Sequence, residues 1–320
     1  MRQGTGRWER RSAVLRTTVR LPLVVVGFLL AGWLAACGGS PSNPTTVSTP
    51  APTPSPRVVI LSIDGLRSDG LQNAINAGAA VATPTNASRL IANGAYTWRA
   101  KTINPSNTLP SHASMLTGYL PDRHGVTWDN YDPAKPPLAV PTIFLAARNA
   151  GLRTAMVVGK EKFNTFRDTG EMGNFVGGPR SDDDVAGQAL GQIYSGVDLL
   201  FIHLPDVDLS GHATAWMSAT YAAKIRLADL ALGRILDALP TNTTLILTAD
   251  HGGHGSGHGT TDGLDLTIPW IIVGPRIRKA YALTGDVVTM DTAATAAYLL
   301  GLTLPSDVKG KPVLEAFATR

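Results

Sequence analysis

Cysteine is almost absent from this chain: Cys37 stands alone among 320 residues. One thiol cannot build a disulfide framework, so that class of small stapled folds is excluded. A basic surplus is missing as well, despite a formal net charge of +4. Residues 1–36 carry six of the 28 basic residues and one of the 24 acidic ones; the rest holds 22 basic against 23 acidic, a net charge of −1. A nucleic-acid footprint is therefore not expected. Residues 38–56 contain almost no large apolar side chain; Gly, Ser, Pro, Thr and Ala cannot pack a core, and the stretch reads as a tether. No internal repeat is visible. Histidine is scarce too, but four of the seven fall within residues 212–258, which makes a purely solvated role for them a poor reading.

The N-terminus has the layout of an export signal. Residues 1–20 hold six arginines, the apolar run Leu21–Trp33 follows, and Leu34-Ala35-Ala36-Cys37 ends it. A charged region, an apolar region and small residues at a cleavage point are the marks of a signal peptide. The segment resembles a bacterial lipoprotein signal, with residues 34–37 as its lipobox and Cys37 as the lipidated residue. The apolar run is short for a membrane span, and the residues flanking Arg10-Arg11 fit a twin-arginine signal poorly. The expectation is a signal peptide at 1–36, a tether at 37–56, and an exported protein anchored by lipid at the outer face of a bacterial membrane.

From residue 57 about 264 residues remain, enough for one large α/β domain. Apolar, β-rich runs predict strands at Val58–Ile63, Thr154–Val158, Val197–His203, Thr244–Thr248 and Ile268–Val273. Helices are expected at Pro84–Asn93 after a capping Thr83, Val140–Ala150 closed by Gly151, Asp183–Tyr194, Ala213–Leu239, and Asp291–Leu300 with Asp as cap and Gly301 as stop. Strands alternating with helices predict a mostly parallel central sheet covered on both faces.

The polar residues of interest stand just past these strands: Asp64, Lys160, Asp208, and Asp250 with His251. Ligand sites of open α/β sheets lie beyond the carboxyl ends of strands. The segments Asp208-Leu-Ser-Gly-His212 and Asp250-His251-Gly-Gly-His254-Gly-Ser-Gly-His258 offer carboxylate and imidazole groups, which bind zinc well. Asp206 is a rival carboxylate, and His254 competes with His258. Thr108, in Asn107-Thr108-Leu-Pro-Ser-His112, either caps a helix beginning near Pro110 or serves as a nucleophile, and both can hold: a helix N-terminus presents N–H groups to phosphate oxygens.

Taken together, these motifs resemble the alkaline phosphatase superfamily, and within it the type I phosphodiesterase/nucleotide pyrophosphatase branch. The resemblance runs from about Val58 to Pro275. It implies an alkaline-phosphatase-like catalytic domain with a reduced cap, expected at residues 160–182, and two divalent metal ions, zinc being expected. One ion would be held by Asp208, His212 and His258, the other by Asp64, Asp250 and His251, with Thr108 as the nucleophile between them. His258 is preferred to His254 because the residues that follow, through Ile268-Pro-Trp to Gly274-Pro, match the family pattern after its last ligand.

The chain departs from that pattern at the family's phosphate-contacting Asn, where the favoured register places Asp129, with Asn130 one step away; both are substrate-binding candidates. Lys160 and Lys162, in Val157-Val-Gly-Lys-Glu-Lys, are similar to a Lys-Asp-Lys stretch of phosphonoacetate hydrolases and are candidates for a substrate's anionic end; the alternative is an exposed charged loop. A sulfatase is disfavoured, since threonine cannot become formylglycine. The expected activity is hydrolysis of a phosphodiester or pyrophosphate bond in a small phosphorylated substrate. A phosphomonoesterase, a phosphonoacetate-hydrolase-like enzyme, and a non-catalytic metal-binding surface lipoprotein are the alternatives.

Overall fold

The computed structural model describes residues 56–80 and 85–319. The expected signal peptide, most of the tether, the lipidated Cys37 and the capping Thr83 lie outside these residues. Eight strands among them form one sheet: β1 (Arg57–Ile63), β2 (Gly94–Lys101), β3 (Thr154–Val158), β4 (Asn174–Val176), β5 (Leu199–Leu204), β6 (Thr243–Thr248), β7 (Thr267–Val273) and β8 (Tyr281–Ala282). Their order across the sheet is β4-β3-β5-β1-β6-β7-β2-β8. Neighbours from β4 to β6 are parallel, as are β2 and β8; β7 alone runs against the rest. β3, β5 and β6 are buried at every position and β1 at all but its first. That is the pattern of near-continuous apolar strands covered on both faces.

The helices are α1 (Ser68–Ala80), α2 (Asn86–Asn93), α3 (Thr108–Thr117), α4 (Pro121–His124), α5 (Ile143–Asn149), α6 (Asn164–Arg167), α7 (Asp182–Tyr194), α8 (Asp206–Thr214), α9 (Ala219–Ala238), α10 (Gly263–Leu266) and α11 (Asp291–Leu300). One layer gathers α1, α2, α7 and α8 around α9; the other packs α3 and α5 with α11. α9 buries Tyr221, Ile225, Ala228, Leu232 and Ile235, the spacing of one apolar stripe. Side-chain caps start many of these helices: Thr85 for α2, Thr142 for α5, Ser181 for α7 and Ser218 for α9.

Several expectations are corrected. The helix expected over 213–239 is two helices, because residues 215–218 leave helical geometry with Ala215 and Met217 at positive φ. Asp208 and His212 lie on the first of these, α8, four apart on one face. Asp291 does not cap α11; its carboxylate accepts from the backbone N–H groups of Val288 and Lys311. Residues 160–182 join the sheet edge through β4.

The topology decides where the site can be. β1, β3, β5 and β6 are parallel neighbours, so Asp64, Lys160, Asp206–His212 and Asp250–His251 all emerge at one edge. β2 runs the same way and delivers Thr108 there.

Candidate active site

The Nε2 atom of His251 is the meeting point. Around it stand Asp64 Oδ1 at 3.3 Å, Asp250 Oδ2 at 3.3 Å, Asp208 Oδ1 at 4.0 Å and Thr108 Oγ1 at 3.4 Å. All of these side chains are buried, and the three carboxylate oxygens have no hydrogen-bond partner. Three unsatisfied buried carboxylate oxygens facing one imidazole nitrogen would be costly in a closed protein. As a donor set for divalent cations they make sense.

The outward oxygens of the same carboxylates are held. Asp64 Oδ2 lies 2.8 Å from His203 Nε2 and 2.7 Å from Lys160 Nζ, and Asp208 Oδ2 lies 2.5 Å from that same ammonium. Asp250 Oδ1 accepts from the backbone N–H of Gly65 and of His251. Burial opposes a charge on Asp64, but Lys160 and the imidazoles of His203 and His251 outweigh it and hold the carboxyl well below the usual range. Asp250 is raised well above that range, by burial and then by the charge of Asp64. Burial alone would depress His251; the carboxylates of Asp250, Asp64 and Asp208 instead lift it to about 10.

A second cluster adjoins the first. Asp208 Oδ1 is 3.4 Å from His212 Nε2 and 3.8 Å from His258 Nε2. His258 stacks on His251 with ring centroids 3.7 Å apart, and burial, with the neighbouring His251, pushes it down to about 4. In all three imidazoles Nδ1 faces a backbone carbonyl: Ser256 for His212, Gly252 for His251 and Ser106 for His258. A carbonyl only accepts, so Nδ1 carries the proton and Nε2 is turned to the centre, the arrangement that orients metal-binding histidines. Trp216 braces the group. Its indole lies where a Cβ on either Gly211 or Gly253 would collide with it, and Nε1 donates to Gly65 O.

Thr108 is the first residue of α3, one per cent exposed, with Asn107 as N-cap. The next residue, Leu109, donates its N–H to Asp129 Oδ1, and Lys162 Nζ lies 2.6 Å from Asp129 Oδ2. His112 is buried behind Thr108, its Nδ1 donating to Thr108 O and its Nε2 2.9 Å from Ser62 Oγ. A cleft of about 630 Å³ opens beside the centre, with Asn130, Tyr131, Lys160, Lys162, Arg180 and Leu209 in its walls.

The six expected ligands and Thr108 thus come together, and the donor atoms form two tight sets. Asp208, His212 and His258 are one; the other is Asp64, Asp208 and His251, so Asp208 borders both, while Asp250 approaches His251 from the side of His112. His254 is not among them: its Nδ1 pairs with Asp265 Oδ1 at 2.7 Å. Asp206 binds Lys224 instead. Asn130 is exposed on the cleft wall, whereas Lys160 and Lys162 are both paired with carboxylates. Sequence reasoning gave no role to His203, His112 or Trp216. The first two hide inside apolar or small-residue segments, and Trp216 sits in a stretch of helix-forming composition.

A model of the family described as type I phosphodiesterase / nucleotide pyrophosphatase matches residues 58–257, more than half of the chain. Among curated proteins, the chain is similar to the catalytic subunit of GPI ethanolamine phosphate transferase 2 of Homo sapiens, 27% identical over 302 residues, covering 87% of this chain and 29% of the relative. It is also similar to the 2,3-bisphosphoglycerate-independent phosphoglycerate mutase of Rhodopirellula baltica, 29% identical over 143 residues, 42% of this chain and 26% of the mutase. The chain thus spans about a quarter to a third of the length of these relatives. Among solved structures, it is similar to an inactive variant of murine ectonucleotide pyrophosphatase/phosphodiesterase 5 in complex with AMP, with a TM-score of 0.69 at 15% identity over 82% of this chain and 100% of the other. A 2-O GAG sulfatase gives 0.64 at 15% identity, over 82% and 74%. At these identities the likeness is one of fold.

Proposed function

The chain belongs to the type I phosphodiesterase/nucleotide pyrophosphatase family, and from that premise we propose that it is a two-metal hydrolase of phosphodiester or pyrophosphate bonds with Thr108 as nucleophile. One observation carries the reading: three unpartnered carboxylate oxygens converge on His251 Nε2, with the Thr108 hydroxyl 3.4 Å from that atom. Two divalent cations, zinc by the Asp/His donor set, would be held by Asp208, His212 and His258 and by Asp64, Asp250 and His251, and would supply Lewis-acid charge that lowers the pKa of the Thr108 hydroxyl and offsets phosphoryl charge.

The chain's own residues do the rest. The helix α3 N-terminus fixes Thr108 at the mouth of the centre, and the bond from His112 to Thr108 O anchors its backbone. Thr108 Oγ1 attacks phosphorus and loses its proton to solvent; the bond from phosphorus to the leaving oxygen breaks, and that oxygen departs with its electron pair and takes up a proton from solvent, leaving a phospho-threonine. Water then attacks that phosphorus, and Thr108 regains its proton. The substrate's remaining group lies in the cleft walled by Asn130, Tyr131 and Leu209. AMP bound to the murine structural neighbour supports a small phosphorylated substrate. Pairing of Lys160 with Asp64 and Asp208, and of Lys162 with Asp129, weighs against lysines free to grip a second anionic group, and so against a monoesterase or a phosphonoacetate-type substrate. A pure metal binder would not need a buried threonine at the same point.

The test is hydrolysis of a nitrophenyl diester and a nitrophenyl monoester by the zinc-loaded protein and by Thr108→Ala. A loss of roughly 10³-fold or more with the metals retained is expected of a central catalytic group. Near-normal turnover in the variant, or turnover undiminished by a chelator, would overturn the proposal. For location, the proposal remains a lipid-anchored exported protein, supported by Leu34-Ala-Ala-Cys37. Mass spectrometry of membrane-extracted protein should find a lipid-modified Cys37 at the N-terminus, and an intact Met1 would refute it.

A further inference from the structure

Lys160 is placed with unusual firmness for a lysine. It follows β3, and a Cβ on the preceding Gly159 would sit 2.5 Å from Pro205 Cγ, so the backbone here is packed against the entrance of α8. Phe163, three residues on, is fully buried. The ammonium reaches inward, with its side chain 14% exposed, and touches two carboxylates at once: Asp64 Oδ2 at 2.7 Å and Asp208 Oδ2 at 2.5 Å. On each carboxylate it takes one oxygen and leaves the other, Oδ1, unpartnered toward His251.

We propose that Lys160 is a resident counter-cation of the metal-free centre, on the side opposite His251: it stabilises the empty site and, for the same reason, weakens divalent-ion binding there. This inference rests on the two-metal reading. Without a metal, Asp64 and Asp208 are a pair of buried negative charges side by side. His203 donates a hydrogen bond to Asp64 from Nε2. His251 faces the same carboxylates from the other side, and Asp250 adds a further acid to the cluster. Lys160 is the lysine in contact with both Asp64 and Asp208. When a divalent charge arrives at the Oδ1 atoms, the carboxylates' field is cancelled and the ammonium is left a few ångströms from a larger positive charge. A group that interacts more favourably with the empty state than with the filled one must lower affinity for the ion that fills it. Because Lys160 uses the Oδ2 atoms, it offsets charge without standing in the ions' place.

Neutral Lys160→Met and Lys160→Gln should therefore melt lower than the natural protein when metal-free, by roughly 5–15 °C, as expected for removing one partner of a buried ion pair. They should bind zinc about tenfold or more tighter in a competitive chelator titration. Lys160→Arg, which keeps the charge, should restore both values toward the natural ones. If the neutral variants do not fold without metal, zinc release from protein folded in its presence gives the same answer, and release slower than from the natural protein is expected. Zinc affinity that is unchanged or weaker in the neutral variants, with normal zinc uptake by the natural protein, would overturn the inference and leave the two-metal reading standing. No zinc uptake by the natural protein would overturn that reading, and this inference with it.

Discussion

Replacing Gly65 by alanine tests the architecture of the centre from its backbone. Gly65 stands at φ +67°, its N–H donates to Asp250, and its carbonyl accepts from both Trp216 Nε1 and Tyr221 Oη. A Cβ there would lie 2.9 Å from Asp208 Cβ and 3.0 Å from Asp208 Cα. The left-handed backbone costs alanine about 1–2 kcal/mol. The contact adds an overpacking penalty of about 1–3 kcal/mol, because the obstacle is the backbone of α8 and cannot swing aside. Gly301 provides the control: its φ is +68° but nothing lies within 4 Å of the added methyl. Urea unfolding of the metal-free proteins should show Gly301→Ala losing only the strain, and Gly65→Ala losing about 1–3 kcal/mol more. Relief of the contact moves Asp208 by about half an ångström, and misplacement on that scale should cost one to two orders of magnitude in turnover. Equal stability of the two variants, together with undiminished turnover in Gly65→Ala, would refute the claim that close approach at Gly65 positions Asp208.

Three further outcomes are expected. His258→Ala should lose a zinc ion and most activity, whereas His254→Ala, whose imidazole faces Asp265, should keep both ions; metal stoichiometry by mass spectrometry checks this. His124 is buried against Ser114 Oγ, accepts the Val126 N–H, and has its pKa pushed by burial from 6.5 down to about 4. Between those values the unfolded chain binds a proton that the folded chain refuses, so stability should fall by up to about 3 kcal/mol as pH drops from 6.5 to 4 and be level below; His124→Gln should flatten that limb in urea melts. Asp129→Asn removes a negative charge beside the N-terminus of α3 and leaves Lys162 without its partner. It should raise kcat/KM for a dianionic monoester relative to a diester by about tenfold, and an unchanged ratio would show that Asp129 does not set substrate charge.

The parts of the fold legible in the sequence are those where one physical signal dominates. β1, β3, β5, β6 and β7 are apolar runs because both faces are covered, and their positions could be read directly. β2 was not, since Arg99 and Lys101 are exposed and its alternation is broken by a register shift between Thr97 and Ala100. β4 and β8, three and two residues long, carry no periodicity at all. The break between α8 and α9 is a tertiary demand: Trp216 must reach Gly65 O between Gly211 and Gly253, which overrides the helical composition of residues 213–239. The candidate ligands were visible as acids and histidines past strand ends. Their outer partners were not, because His203 lies within an apolar strand and Lys160, past the end of β3, reads as a candidate for a substrate's anionic end until the sheet brings it to Asp64.

The contacts that assemble the centre also say when it can exist. Gly65 meets Asp250 across 185 residues of chain, Ser106 meets His258 across 152, Gly65 meets Trp216 across 151, and Thr108 meets His251 across 143. Closing spans of that length is slow and comes after local structure. On the two-metal reading, no fragment holding only one of the two candidate segments can present either ligand set, so a chain still being synthesised offers neither site in native geometry until residue 251 has been added, and not both until residue 258. Metal capture is, on the same reading, a late event of folding.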